Sequence, residues 1–126
     1  MSRIAYVNGQ YVPHFEACVH IEDRGYQFAD GVYEVFAVHR GQLIGEEGHM
    51  QRLAHSLNEL RIDWPVSPRV LGILTREVAR RNRVRDGLIY LQITRGVARR
   101  DHPFPENADS ALVITSRRLP PLDKQA

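Results

Sequence analysis

The sequence has 126 residues, of which 43% are hydrophobic and 25% charged, and its formal net charge is +2 at pH 7. These values are close to those of an average folded domain and exclude an intrinsically disordered chain. The longest apolar runs, 35–38 and 111–114, are far too short to span a bilayer. We therefore expect a globular domain with no membrane partner.

The amino terminus and the cysteine content point to the cytoplasm. The first residues, MSRIAYVNGQ, lack the uninterrupted apolar stretch of a secretory signal. The single cysteine, Cys18, cannot form an internal disulfide. A free cysteine of this kind is usually a small buried hydrophobic residue, and we expect Cys18 to be one.

Arginine dominates the basic residues, and Lys124 is the only lysine. Nucleic-acid modules usually show a larger basic excess, together with aromatic or groove-reading partners. We therefore interpret one arginine cluster as the solvated face of a helix and its exit loop, and expect no nucleic-acid partner. The cluster consists of Arg76, Arg80, Arg81, Arg83 and Arg85.

The first part of the chain is predicted to be β-structure. Asn8-Gly9 lies between two short β-rich stretches and is typical of a type I′ hairpin turn. A further strand is predicted at 17–21, followed by a loop or short helical turn in EDRGYQFADG. Arg40-Gly41 marks a second hairpin within VYEVFAVHRGQLI.

Residues 46–60 change to helical periodicity. Their apolar positions fall three or four apart: Met50, Leu53, Ala54, Leu57 and Leu60. Asp63-Trp64-Pro65 ends this helix, and Ser67-Pro68 is typical of the N-cap and first residue of a second helix, which reaches about Arg81.

The last part of the chain returns to strands. Residues 88–94 carry bulky side chains on both faces, which predicts a central strand, and 111–117 form the last one. The fold class is therefore α+β, a mainly antiparallel sheet with the two central helices packed on one face. The tail RLPPLDKQA is typical of an interdomain linker.

Three segments contain candidate functional residues. The first, EDRGYQFADGVYEVF, is an aromatic loop punctuated by glycines. In the second, HMQRLAHSL, Arg52 lies at the margin of the apolar helical face, where it could either reach solvent or clamp a phosphate. The third, ITRGVARRDHPFPEN, places Arg99, Arg100 and His102 in a loop after a strand. Such a loop is typical either of a site that binds a small carboxylate or of a run of solvated charges. The histidines lack zinc-site spacing, so no metal is expected.

Together and in this order, the three segments resemble the fold-type IV pyridoxal-phosphate-dependent aminotransferases, and within them the D-amino-acid aminotransferase group. The similarity runs from the VNGQ hairpin to the final strand. It implies that Arg52 binds the phosphate of pyridoxal 5′-phosphate. It also implies that Tyr33, Arg100 and His102 bind the substrate α-carboxylate, with the Arg100–His102 loop reaching the site of the partner subunit in a homodimer. Tyr90 is a weaker candidate near the site.

The same resemblance implies that the chain is incomplete as an enzyme. Residues 1–118 correspond to the N-terminal small domain and 119–126 to the start of the linker, whereas the family's Schiff-base lysine belongs to a C-terminal domain. Lys124 does not match that lysine, so we expect no catalytic residue here and an inactive fragment. Alternatives are a branched-chain aminotransferase, an aminodeoxychorismate lyase of the same fold, or a non-catalytic dimerisation module.

Overall fold

A computed structural model of the protein describes residues 3–105 and 108–120. The strands are β1 (Ile4–Val7), β2 (Gln10–Pro13), β3 (Gly31–His39), β4 (Gln42–Ile44), β5 (Gly87–Thr94) and β6 (Ala111–Arg118). The helices are α1 (Arg24–Phe28), α2 (Glu46–Leu60) and α3 (Pro68–Arg81), with a 3-10 turn at His14–Glu16. The strands form one antiparallel sheet in the order β2-β1-β6-β5-β3-β4.

Both predicted hairpins are present, and each closes through two residues with positive φ. Asn8 and Gly9 have φ angles of 46° and 96° and join Val7 directly to Gln10. Arg40 and Gly41 have φ angles of 51° and 79° and lie between β3 and β4. Positive φ at both turn positions matches the right-handed twist of the flanking strands.

Helices α2 and α3 pack against one face of the sheet, as the α+β prediction requires. Leu53 and Leu57 of α2 and Leu71 and Val78 of α3 are buried in one core with alternate residues of the strands. The helix boundaries follow the predicted ones, and the Ser67 hydroxyl accepts a hydrogen bond from the Val70 N–H at 3.2 Å. One predicted core position of α2 was wrong, because Ala54 is exposed.

The sheet order places β5 in the interior, between β6 and β3, as its two-sided apolar sequence predicted. At the edge, β4 pairs only with Ala37–His39 of β3. Within the described residues, the stretch of β3 from Gly31 to Phe36 therefore has a strand neighbour on one side only. This open edge faces α2 and becomes part of the candidate site.

The strand predicted at 17–21 was wrong. These residues join no ladder, and local bonds are formed instead: the Ala17 N–H donates to the His14 carbonyl, the His20 carbonyl accepts from the Asp23 N–H, and the Glu22 N–H donates to the His20 ring. Without a sheet to cover them, Ile21 is 73% exposed, and Cys18 is exposed rather than buried as predicted.

The arginine cluster from Arg76 to Arg85 is exposed along α3 and the loop after it, as its interpretation as a solvated face predicted. Glu46 and Glu77 pair with three of its members. Over the described part of the chain, no helix has the length and apolar character needed to cross a membrane. Lys124 and most of the predicted linker lie outside the described residues.

We predict that Asn82→Ala destabilises the protein by about 2–4 kcal/mol, measured by urea unfolding, because buried polar groups lose their partners. Asn82 is 7% exposed and holds β1 to α3. Its side chain accepts from the Ile4 N–H at 2.6 Å and donates to the Ile4 carbonyl at 2.8 Å and the Ser116 hydroxyl at 2.7 Å. The matched control, Asn58→Ala on exposed α2 surface, should leave the free energy of unfolding nearly unchanged.

Candidate functional site

Arg52 of α2 is held by the buried carboxylate of Glu34 on β3. The Arg52 Nε donates to Glu34 Oε2 at 2.9 Å, and Nη2 donates to Oε1 at 2.7 Å. The Glu34 side chain is 4% exposed, whereas the Arg52 side chain is 64% exposed. One edge of the guanidinium is thus fixed by the protein while most of the side chain faces solvent.

His49, one helical turn before Arg52, completes this cluster. Its Nδ1 lies 2.7 Å from Glu34 Oε1 and must donate, because an ionised carboxylate can only accept. Its ring packs on Phe36, with centroids 4.7 Å apart. The Arg52 hydrogen bond, outweighing burial and aided by His49, holds the pKa of Glu34 below its usual range. Glu34 is therefore an anion at neutral pH.

The cluster borders an open depression of about 370 Å³, lined by Tyr33, Glu34, Val35 and Arg52. It lies along the open edge of β3. In the described structure, Arg52 Nη1 has no hydrogen-bond partner, so N–H groups of its fork are free to bind an anion. A planar guanidinium that is oriented from behind by a carboxylate has the donor chemistry that a phosphate group requires.

Tyr33 lies beside this depression but points to the sheet face away from α2, since side chains alternate along a strand. It is 72% exposed. On that face it lines a shallow groove together with Tyr90, which is 38% exposed. The structure therefore places Tyr33 between two surface depressions, with Arg52 in one and Tyr90 in the other.

Arg100 and His102 lie in the loop after β5 and pack on the same aromatic ring. The Arg100 guanidinium carbon is 5.8 Å from the centroid of the Phe28 ring, and the His102 ring centroid is also 5.8 Å from it. The backbone of this loop is fixed by Arg24, whose Nη1 donates to the Asp101 carbonyl at 2.7 Å. Arg99 and Arg100 are both exposed.

A buried carboxylate, Asp30, holds the base of this loop in place. It accepts hydrogen bonds from Arg24 Nε at 2.8 Å and from Arg95 Nε and Nη2 at 2.7 and 3.2 Å. The three side chains are 3–8% exposed. Burial by itself would raise the pKa of Asp30, but the hydrogen bonds from Arg95 and Arg24 outweigh it and the pKa is lowered.

The same network reaches α2. Arg95 also donates to the carbonyls of Leu60 and Arg61, at 2.7 and 3.0 Å, where the helix ends. Phe104 covers the network from outside, 4.0 Å from the guanidinium carbon of Arg95. Consequently Asp30 links the loop that carries Arg100 to the helix that carries Arg52.

The structure brings together only some of the predicted site residues. Tyr33 and Arg52 line one depression, and Arg100 shares the Phe28 ring with His102. Within the described residues, no hydrogen bond, ion pair or ring contact joins Tyr33 or Arg52 to the Arg100–His102 loop. The predicted site residues of the described chain therefore fall into two groups, Tyr33 with Arg52 and Arg100 with His102.

Sequence reasoning did not assign roles to the residues behind these groups. Glu34, Asp30 and Arg24 all lie within the aromatic loop segment that the sequence singled out, but their pairing depends on contacts with α2 and β5. The available signal for these partners was the presence of acidic residues next to buried strand positions. Over residues 3–105 and 108–120, no group of three or more His, Cys, Asp or Glu side chains is arranged to hold a metal ion.

Known proteins resemble the chain over most of its length. The family model for class IV amino-transferases matches residues 31–126. A D-alanine aminotransferase of Staphylococcus aureus is 42% identical over 100 residues, which are 79% of this chain and 36% of that protein. One from Bacillus licheniformis is 44% identical over 97 residues, 77% of this chain and 34% of that protein.

Solved structures show the same fold. The branched-chain amino acid aminotransferase of Escherichia coli has a TM-score of 0.85 at 21% identity and covers 94% of this chain with 40% of its own. The 4-amino-4-deoxychorismate lyase of Pseudomonas aeruginosa has a TM-score of 0.73 at 26% identity, covering 92% of this chain and 40% of that protein.

The α+β fold of this domain is thus that of the N-terminal domains of class IV aminotransferases. This chain belongs to the class IV aminotransferase family. It spans about a third of the length of the curated relatives it matches.

Because Asp30 is the only carboxylate bonded to both buried arginines in the described network, Asp30→Asn should destabilise the protein by about 3–5 kcal/mol at pH 7. The pKa of Asp30 is lower in the folded state than in the unfolded state, where it is about 3.9, so ionised Asp30 stabilises the fold above the unfolded-state pKa. That stabilisation is lost as the pH falls through the folded-state pKa. The difference in free energy of unfolding between the wild type and Asp30→Asn should therefore become smaller below about pH 4.

Urea unfolding at a series of pH values measures this difference. Asp63→Asn, a change to an exposed carboxylate, is the matched control and should have little effect at any pH. A penalty for Asp30→Asn that stayed constant from neutral pH to pH 3 would contradict the ionic role of Asp30.

Proposed function

We propose that this chain is the N-terminal domain of a pyridoxal-phosphate-dependent aminotransferase that moves an amino group between a D-amino acid and a 2-oxo acid. The observation that carries the proposal is the pair of half-sites: the fixed guanidinium of Arg52, and the Arg100–His102 loop anchored on Phe28. The names of the curated relatives, D-alanine aminotransferases at 42% and 44% identity, support the substrate class.

In this proposal, Arg52 holds the phosphate of pyridoxal 5′-phosphate, and the free part of its fork at the open edge of β3 fits that group. When bound, the cofactor supplies an electron sink for chemistry at the substrate α-carbon. One solved relative, a second branched-chain amino acid aminotransferase, was determined with pyridoxamine 5′-phosphate. Its TM-score of 0.87 at 21% identity reflects the shared fold.

Arg100, His102 and Tyr33 are proposed to bind the substrate α-carboxylate. A guanidinium offers a carboxylate two parallel hydrogen bonds, and an imidazole N–H and a phenol hydroxyl add further donors. Within the described residues no hydrogen bond, ion pair or ring contact joins the loop to Tyr33 or Arg52 in the depression, and we propose, as the family resemblance implies, that the loop serves the depression of a second subunit in a homodimer. Exposed apolar side chains near the loop support an interface there: Ile21, Tyr26, Val97 and Phe104.

The 126 residues by themselves are proposed to be inactive. Lys124 is the only lysine of the sequence, and the chain covers only about a third of its curated relatives. We propose that the lysine that would carry the cofactor belongs to a following domain of a longer, cytoplasmic protein. A coding sequence that ended at Ala126 would instead favour a non-catalytic dimerisation module.

The test is Arg100→Met in the complete enzyme, assayed with D-alanine and 2-oxoglutarate. Loss of a charge-assisted contact to the substrate carboxylate should cost about 2–4 kcal/mol of transition-state binding, roughly a thirty- to thousandfold loss in kcat/KM. Arg99→Met is the matched control and should cost far less, whereas Tyr33→Phe, which removes one hydroxyl, should fall between the two.

A chiral amine without a carboxylate gives the second control, because Arg100→Met should not slow its turnover. Equal losses from Arg99→Met and Arg100→Met would show that the wrong arginine has been assigned. Pyruvate release from an aminated chorismate, without transamination of D-alanine, would favour the lyase alternative.

A further inference from the structure

We propose that Glu34 is the positioning residue of the phosphate-binding arginine: with His49 it fixes the Arg52 guanidinium by its Nε–Nη2 edge and leaves the opposite end of the fork for the cofactor phosphate. This inference rests on the proposed function of Arg52. It assigns a role to two residues, Glu34 and His49, that the proposed function does not itself use.

The guanidinium of Arg52 has enough donors for both Glu34 and a phosphate. An arginine has five N–H donors in one plane, and Glu34 takes the Nε donor and one Nη2 donor in parallel. The two donors of Nη1 and the second donor of Nη2 remain. One Nη1 donor and the second Nη2 donor point outward side by side at the end of the guanidinium, so a phosphate and Glu34 can be bound at the same time on different edges.

Arg52 needs a partner of this kind to hold it in one orientation. Its side chain is 64% exposed, and an exposed arginine samples many rotamers that a ligand would have to order on binding. Glu34 is 4% exposed on the rigid strand β3, so it is a fixed point from which Arg52 can be oriented.

Glu34 is itself held in one orientation by His49. The Nδ1–H of His49 donates to the same Oε1 that accepts from Arg52 Nη2, both at 2.7 Å. The 3.2 Å approach of Nη2 to Nδ1 is then the contact of two donors sharing one acceptor. The His49 ring is in turn fixed by its packing on Phe36.

Two roles for Glu34 predict opposite signs for one measurement. If Glu34 positions Arg52, Glu34→Gln weakens binding of a phosphate. If Glu34 merely neutralises Arg52, the same substitution removes a negative charge near the ligand and strengthens phosphate binding. A purely structural role would weaken binding of any ligand in the site, whether or not it carries a phosphate.

The experiment measures the dissociation constants of pyridoxal 5′-phosphate and of pyridoxal, which lacks the phosphate, for the apo form of the complete enzyme. We expect Glu34→Gln to weaken pyridoxal 5′-phosphate about tenfold, the order expected when an arginine side chain must be ordered on binding. Binding of pyridoxal should not change. His49→Phe, which keeps a ring on Phe36 but removes the Nδ1–H donor, should have a smaller effect in the same direction.

Glu77→Gln is the matched control, because Glu77 also pairs with arginines but does so on the exposed face of α3. It should change neither constant. Unchanged or tighter pyridoxal 5′-phosphate binding by Glu34→Gln, or equal weakening of both ligands, would overturn the proposal. Arg52→Met separates this failure from that of the proposed function: if it leaves the preference for the phosphorylated ligand intact, Arg52 is not the phosphate-binding residue at all.

Discussion

The arrangement of this domain depends on one buried carboxylate that serves two buried arginines. Asp30 bonds to Arg24 and Arg95, and through them it fixes the backbone of the loop after β5 and the end of α2. Removing two guanidinium groups from water is costly unless their donors are all used. Here the carbonyl groups of Leu60, Arg61 and Asp101 accept hydrogen bonds from arginine N–H donors that do not bond to Asp30. The charge network therefore also sets the relative positions of α1, the end of α2 and the loop after β5.

A second buried carboxylate, Glu34, also pairs with an arginine, at the open edge of β3, but this arginine is exposed. The arginines around Asp30 are buried and structural, whereas Arg52 is anchored at one edge and exposed at the other. This difference explains how the arginines of one sequence can contribute both to the fold and to the candidate site. A guanidinium that is buried as a whole uses its donors inside the fold, whereas burial of only its carboxylate partner leaves donors for a ligand.

Much of the fold could be predicted because local rules determine it. Asn8-Gly9 and Arg40-Gly41 supply the positive φ angles of two-residue hairpin loops, and Ser67-Pro68 marks the start of α3. The strand at 17–21 was wrong because a β-rich stretch does not by itself specify a neighbouring strand. The Ala17 N–H and the His20 carbonyl form local bonds instead, and Cys18 is exposed.

The candidate site divides in the same way. Arg52, Tyr33, Arg100 and His102 could be selected from the sequence through a family resemblance, and the membership in that family is now established. Their supporting partners could not, since Glu34 with Arg52 and Asp30 with Arg95 are separated by 18 and 65 residues and meet only in the folded chain. Such pairings are set by the packing of α2 and β5 around β3, which no local sequence pattern specifies.

We propose that one subunit's Arg52 half-site works with the other subunit's Arg100 half-site. Mixing the complete enzyme carrying Arg52→Met with that carrying Arg100→Met, under conditions of subunit exchange, tests it directly. Each mixed dimer would contain one site with both arginines intact, so random exchange of equal amounts should restore about one quarter of wild-type activity with D-alanine. If both half-sites belonged to one chain, every site would lack one arginine, and a mixture no more active than its two components would contradict the account.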